Sequence, residues 1–206
     1  MTSDEVINSY WKYYLSLESQ VVELERFIEF DLKVNGKTYS SRLLELLQAI
    51  CSEIDVIGKT LALQCDSSYR VTKYTPIKSW WFVIQNTYAG IQSEPVCFRK
   101  ETLFPWANFF VAKVNGKHID DPTVLNAHVP AWWNSYNNVK HRRTDRDRNG
   151  LMYSHANLSN VINALAGLCV LETLLLEKTG CVVDSNDLFS IEGHNVFRNY
   201  MTWGAV

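Results

Sequence analysis

One twelve-residue segment carries most of the chemistry this sequence offers: Trp132-Trp133-Asn134-Ser135-Tyr136-Asn137-Asn138-Val139-Lys140-His141-Arg142-Arg143. If it is helical, Trp132, Tyr136 and Val139 share a core face, and Trp133, Asn137, Lys140 and His141 form a stripe beside it, because residues three and four apart are neighbours on a helix. From Lys140 to Arg148 the chain has five Lys or Arg (Lys140, Arg142, Arg143, Arg146 and Arg148) against two Asp, so the helix ends in a positive patch. Two explanations fit this patch. Cations at a helix C-terminus offset the negative end of its dipole by roughly 0.3–1 kcal/mol each. Alternatively, they hold phosphate, with Trp133 available to stack on a base. The histidine inside the cluster favours the second explanation.

The positive patch stands out because the chain as a whole is slightly acidic. Its 206 residues have a net charge of −2, 47% hydrophobic and 20% charged residues, and 13% aromatics with seven Trp. This is a globular composition, which excludes disordered and fibrous architectures, and the net charge excludes a surface built throughout for polyanions. Length allows one domain, residues 1–206, large enough to fold without disulfides or a metal.

The helical elements follow from hydrophobic spacing. Ile7, Tyr10, Tyr14, Leu17, Val21, Leu24 and Ile28 mark one helix over 4–34, with Ser3 as its N-cap and Asn35-Gly36 ending it in a left-handed conformation. Leu43, Leu47, Ile50, Ile54, Ile57 and Leu61 mark a second over 40–65. A third is expected over 129–141, entered through Pro130, and a fourth over 155–179, capped by Ser154, apolar nearly all round and ended by Gly180. The expected fold class is therefore mainly α, a bundle of four main helices. Between the second and third helices, 66–128 is a proline-interrupted excursion. In it, Ile77–Ile84 reads as a short helix or a buried strand, and Phe109–Val114 with Asn115-Gly116 reads as a small β-hairpin. Residues 180–206 form a C-terminal tail that packs over the end of the bundle.

Several enzyme classes lack their motifs: there is no Gly-rich phosphate loop, G-x-S-x-G, C-x-x-C or H-E-x-x-H. His118 with Asp120 and Asp121 reads as a solvated loop, and Cys51, on the apolar seam of the second helix, reads as a small buried hydrophobe. No metal or cofactor is implied. The odd number of scattered cysteines suits free thiols. The start Met1-Thr2-Ser3-Asp4-Glu5 does not read as a secretory signal, and no apolar run is long enough to read as a membrane span, so a cytoplasmic protein without membrane association is expected.

On the W-W-x-x-Y-N-x-x-K-H-x-R segment, with Asn137-x3-His141 inside it, the sequence resembles the HEPN superfamily. These are all-α domains that include metal-independent endoribonucleases of toxin, antiphage and RNA-processing systems. Asp55-x3-Lys59 on the second helix, with Glu53 nearby, matches a further family feature. The resemblance covers 4–65 and 129–179, and departs from the family pattern where Tyr136 occupies the signature arginine position. It implies a HEPN-like bundle, a homodimer with its two motifs facing each other, and RNA as the substrate. In such a site, attack by a ribose 2′-hydroxyl on the adjacent phosphate needs proton transfer and a cation. His141 would be the general acid or base, Asn137 would orient its ring or the phosphate, and Lys140, Arg142, Arg143 and Arg146 would hold phosphate. Asp55, Lys59, Glu53 and Tyr136 would support them. Two alternatives stay open. Asp55 and Lys59 also read as an ordinary i,i+4 helix pair, worth about 0.2–0.5 kcal/mol. With Tyr136 in place of arginine, the domain also reads as a non-catalytic module that binds RNA or a protein partner, as an antitoxin or scaffold would.

Overall fold

The computed structural model describes residues 1–112, 128–148, 150–184, 188–191 and 194. It is mainly helical. In chain order it contains α1 (Ser3–Val6), α2 (Lys12–Val22), α3 (Leu32–Asn35), α4 (Ser41–Cys65), α5 (Ile77–Thr87), α6 (Ala131–Arg142) and α7 (Leu158–Thr179), with five short strands.

The expected helix over 4–34 is not continuous. Its cap is Thr2 rather than Ser3, because Thr2 and Glu5 form a reciprocal capping box that satisfies two free N–H groups. A π-helical turn, Ile7–Trp11, joins α1 to α2. Its extra residue per turn lets Val6 and Trp11, five apart, both reach the core, while Ile7 and Tyr10 are only partly buried. After α2 the chain tightens into a 3-10 turn, Glu23–Arg26, and Asp31 then caps a new helix by accepting from the N–H groups of Lys33 and Val34. Gly36 is right-handed, with φ −57°. It is needed for space, since a Cβ there would stand 2.2 Å from the Leu32 carbonyl oxygen and 3.3 Å from Ser159 Cβ, where the chain meets the start of α7.

Helix α4 follows its spacing closely: Ser40 caps it, and Leu43, Leu47, Ile50, Ile54, Ile57 and Leu61 are fully buried. Helix α7 is the central element, buried along nearly its whole length and packed against α4, α6 and α2. It is also long and apolar enough to cross a membrane, but most of it is covered by the fold, as in a core helix. Its cap is Asn157, not Ser154. Asn157 accepts from the Asn160 N–H, whereas Ser154 lies in a 3-10 turn, Met152–His155, with its hydroxyl bonded to the Leu151 carbonyl. Gly180, at φ 68°, ends α7 in the expected left-handed conformation.

The excursion contributes to the core. Ile77–Thr87 is helical, with Trp80, Trp81 and Ile84 buried. Trp106 and Phe109 add to the same aromatic column. Ring centroids are 4.3 Å apart for Trp81–Trp106, 5.1 Å for Trp106–Trp132, 5.9 Å for Trp132–Trp133 and 5.3 Å for Trp133–Tyr136. Three of the column's indole N–H groups are held by backbone carbonyls: Trp81 donates to the Phe109 carbonyl, Trp106 to Gly167 and Trp132 to Pro105. The column runs from α5 to α6 and fixes one against the other.

A β-hairpin does occur in the excursion, but at β1 (Val96–Phe98) and β2 (Glu101–Leu103), which pair antiparallel around Arg99 at φ 52°. Phe109–Ala112 form no strand, and Lys113 to Gly116, like His118, Asp120 and Asp121, lie outside the described residues. The chain after α7 returns to this sheet. Its strand β5 (Phe189–Ser190) pairs with β1, giving the order β2-β1-β5, and buried Glu18 accepts from the Leu188 N–H and the Tyr14 hydroxyl. All five cysteines are free thiols, and burial pushes the Cys51 thiol up, as expected of a packing residue.

Candidate functional site

A cleft of about 460 Å³ opens between α4, the start of α5 and α6. Two turns of α6 supply Trp133, Tyr136, Asn137 and Lys140, and α4 supplies Ser52 and Asp55. Pro76, Ile77, Lys78 and Val129 complete the lining. Five residues expected to matter (Asp55, Trp133, Tyr136, Asn137 and Lys140) are thus brought to one place by two helices. Their convergence follows from helix geometry. At about 100° per residue, the four α6 positions span about 100° of its circumference.

His141 falls about 40° further round than Asn137, on the solvent face of α6. It is exposed and, among the described residues, has no hydrogen-bond or ion-pair partner. It therefore stands beside the mouth of the cleft, outside its lining. Trp133 is buried to 8% exposure against Trp132 and Tyr136, so it forms a wall of the cleft and leaves little ring surface for stacking. Tyr136, equally buried, accepts a 3.1 Å hydrogen bond on its hydroxyl from the Lys140 ammonium, which also lies 5.2 Å from its ring centroid.

Asp55 is committed on both oxygens. Oδ2 meets Lys59 Nζ at 2.5 Å, and Oδ1 accepts from the Trp80 indole at 3.2 Å. Lys59 neutralises this carboxylate and does not line the cleft. Trp80 in turn packs on Gly58, where any Cβ would come within 2.8 Å of the ring, so the α4–α5 spacing that forms one wall is set by a glycine. Glu53 does not belong to the site. Two residues before Asp55, it points about 200° away around α4, toward Glu172 of α7. Burial raises its pKa.

The α6 C-terminus is ordered by a hairpin that the spacing did not reveal. Strands β3 (Arg146–Asp147) and β4 (Gly150–Leu151) pair antiparallel, and the Met152 and Tyr153 N–H groups bond the carbonyls of Asp145 and Arg143. His155 Nε2 lies 3.1 Å from Asp147 Oδ2, and Asn160 bonds both the His155 carbonyl and the Ser135 hydroxyl, fastening the hairpin to α6 and α7. The end of α6 and this hairpin present basic side chains to solvent: Arg142, paired with Asp145 at 2.8 Å, and Arg143 and Arg146, both exposed. Exposed pairs of this kind contribute little to stability, which leaves the arginines available to a polyanion.

Sequence spacing missed Lys78, which brings a second ammonium to the cleft from an element more than fifty residues away. One local signal existed. A lysine in the first turn of a helix stands at the positive end of the dipole, where a cation is disfavoured. Burial lowers its pKa. Asp55 is paired with Lys59, and Lys78 and Lys140 bring two ammoniums to the cleft lining on a chain whose net charge is −2. Among the described residues no group of three His, Cys, Asp or Glu is placed to hold a metal. Comparison with known protein families, with curated proteins and with solved structures finds no match to this chain.

Proposed function

We propose that this chain is a HEPN-like cytoplasmic protein that acts on RNA, binding it along the basic end of α6 and in the adjoining cleft. The observation that carries this reading is the convergence of Asn137, Lys140, Tyr136 and Trp133 with Asp55 in one cleft, beside exposed Arg143 and Arg146. Lysine and arginine side chains supply phosphate contacts, and the polar α6 stripe supplies hydrogen bonds. In this proposal His141 is the proton-transfer group of a metal-independent cleavage. Because it lies on the solvent face, a second copy packed isologously over α6 brings two His141 residues and two basic ends to one groove.

The test combines binding and cleavage. Single-stranded and structured RNAs are titrated at 50 and 200 mM salt, then incubated in EDTA with parent protein and His141→Ala. Three or four phosphate contacts to a single strand predict a loss of roughly 20- to 50-fold in affinity across that salt range. Loss of a general acid or base predicts cleavage slowed by at least about 100-fold in His141→Ala. Absence of salt-sensitive RNA binding overturns the proposal, and a specific co-purifying protein would then point to an interaction module.

A second reading, RNA binding without cleavage, draws support from Tyr136. At the signature arginine position this chain has a buried phenol tied to Lys140. Salt-sensitive binding with no cleavage by the parent protein is its expected outcome.

A further inference from the structure

We propose that His155, oriented by Asp147, is a second proton-transfer group of the RNA cleavage and serves as its general base. The inference rests on the RNA reading above and adds a residue to its chemistry. Attack of a ribose 2′-hydroxyl on the adjacent phosphate moves two protons, one off the attacking oxygen and one onto the leaving oxygen. His141 supplies one of these transfers, and a second group completes the pair. His155 Nε2 lies 3.1 Å from Asp147 Oδ2. An ionised carboxylate only accepts, so Nε2 carries the ring proton and Nδ1 keeps its lone pair. Among the described residues nothing bonds Nδ1. A carboxylate behind an imidazole fixes its tautomer and stabilises the imidazolium that forms when the ring takes a proton. Asp147 is the positioning residue of this pair.

The surroundings of the pair suit an RNA strand. His155 closes the 3-10 turn Met152–His155, whose Met152 and Tyr153 N–H groups bond the Asp145 and Arg143 carbonyls. The Asn160 carboxamide holds the His155 carbonyl at 2.9 Å, so the ring is mounted on a fixed backbone while its side chain stays 21% exposed. Arg143 follows His141 by two residues, so both histidines border the basic loop from Arg142 to Arg148. The side chains of Arg143, Arg146 and Arg148 are exposed and have no partner among the described residues, which suits them to the phosphate. Tyr39, bridged to Asn157 and packed edge-on against Tyr153 at 5.7 Å, is exposed and offers a base the stacking surface that buried Trp133 lacks. In the reaction, His155 Nδ1 takes the 2′-hydroxyl proton as the 2′-oxygen bonds to phosphorus. The bond from phosphorus to the 5′-oxygen breaks, and that oxygen takes a proton from the His141 imidazolium. The products are a 2′,3′-cyclic phosphate and a 5′-hydroxyl.

The experiment follows cleavage of a short single-stranded RNA in EDTA by the full chain and by His155→Gln and Asp147→Asn. Rates are read at saturating protein, affinities by fluorescence anisotropy, and folding by circular dichroism. Glutamine keeps an N–H donor for Asp147, so it retains the anchor of the hairpin and removes the proton transfer. His155→Gln is expected to cleave at least about 100-fold more slowly than the parent, with RNA affinity unchanged. Asp147→Asn is expected to lower the rate and likewise leave the affinity unchanged. A parental rate in His155→Gln overturns the inference and leaves RNA cleavage standing. A rate that falls only in step with affinity makes the pair structural and also overturns it. A parent that binds RNA without cleaving it overturns the general base and the cleavage together, and one that binds no RNA overturns the RNA reading as well.

Discussion

Replacing Glu172 with leucine raises the stability of the protein at pH 7 and reduces its pH dependence above pH 5. Glu172 is fully buried on the central helix, and neither of its carboxyl oxygens has a hydrogen-bond partner among the described residues. Burial, and then the charge of Glu53 on α4, push its pKa well above the ordinary value of 4.5. The folded state therefore keeps a proton that the unfolded chain releases. Stability from this group is fully present below pH 4.5 and falls by about 1.4 kcal/mol per pH unit until the raised folded value is reached. Glu53, raised by its own burial, adds to the loss in the same direction. Leucine keeps the bulk and removes both the titration and the unmet polar atoms. Urea unfolding at pH 5, 6 and 7 should show the parent losing stability as the pH rises and Glu172→Leu losing less. A variant with the parent's slope would contradict this account of the core.

Trp106→Ala carries the largest expected loss, about 3–5 kcal/mol, the range for emptying a buried tryptophan site. The indole stacks on Trp81, meets Trp132 edge-on and donates at 3.1 Å to the Gly167 carbonyl, so it joins α5, α6 and α7. Gly167 makes room for this packing, since a Cβ there would be 3.2 Å from Trp132 and 3.5 Å from Trp106. Because Trp132 leads directly to Trp133 at the cleft wall, the loss should extend to function, with weaker RNA binding even where the variant remains folded. Chemical denaturation and near-ultraviolet circular dichroism measure the effect. A cost below 1 kcal/mol would mean that the aromatic column does not hold these helices together.

Helices with uninterrupted 3.6-residue spacing were the legible part of the fold. Leu43 to Leu61, the all-round apolar run of α7 and the stop at Gly180 appear where spacing places them. The N-terminal helix was less legible. A π turn changes the spacing between Val6 and Trp11, and Asp31 restarts the chain with a local cap, neither of which leaves a periodic signal. The β1–β2 turn escaped because Arg99 adopts a positive φ, where Asn or Gly is the usual choice. Within the site, Asn137 and Lys140 were legible because i,i+3 neighbours on one helix need no tertiary information. Lys78 reaches the same cleft only through the packing of α5 on α4, where Gly58 admits the Trp80 ring, and no pattern local to α6 encodes that.

The central claim, that RNA engages the α6 cleft and the basic end beside it, is tested most directly by amide hydrogen exchange with and without a saturating single-stranded RNA. The account predicts added protection confined to α6, the 76–78 turn and the β3–β4 hairpin, and little change in α1 or α2. No RNA-dependent protection, or protection confined to the β1–β2–β5 sheet, would contradict it.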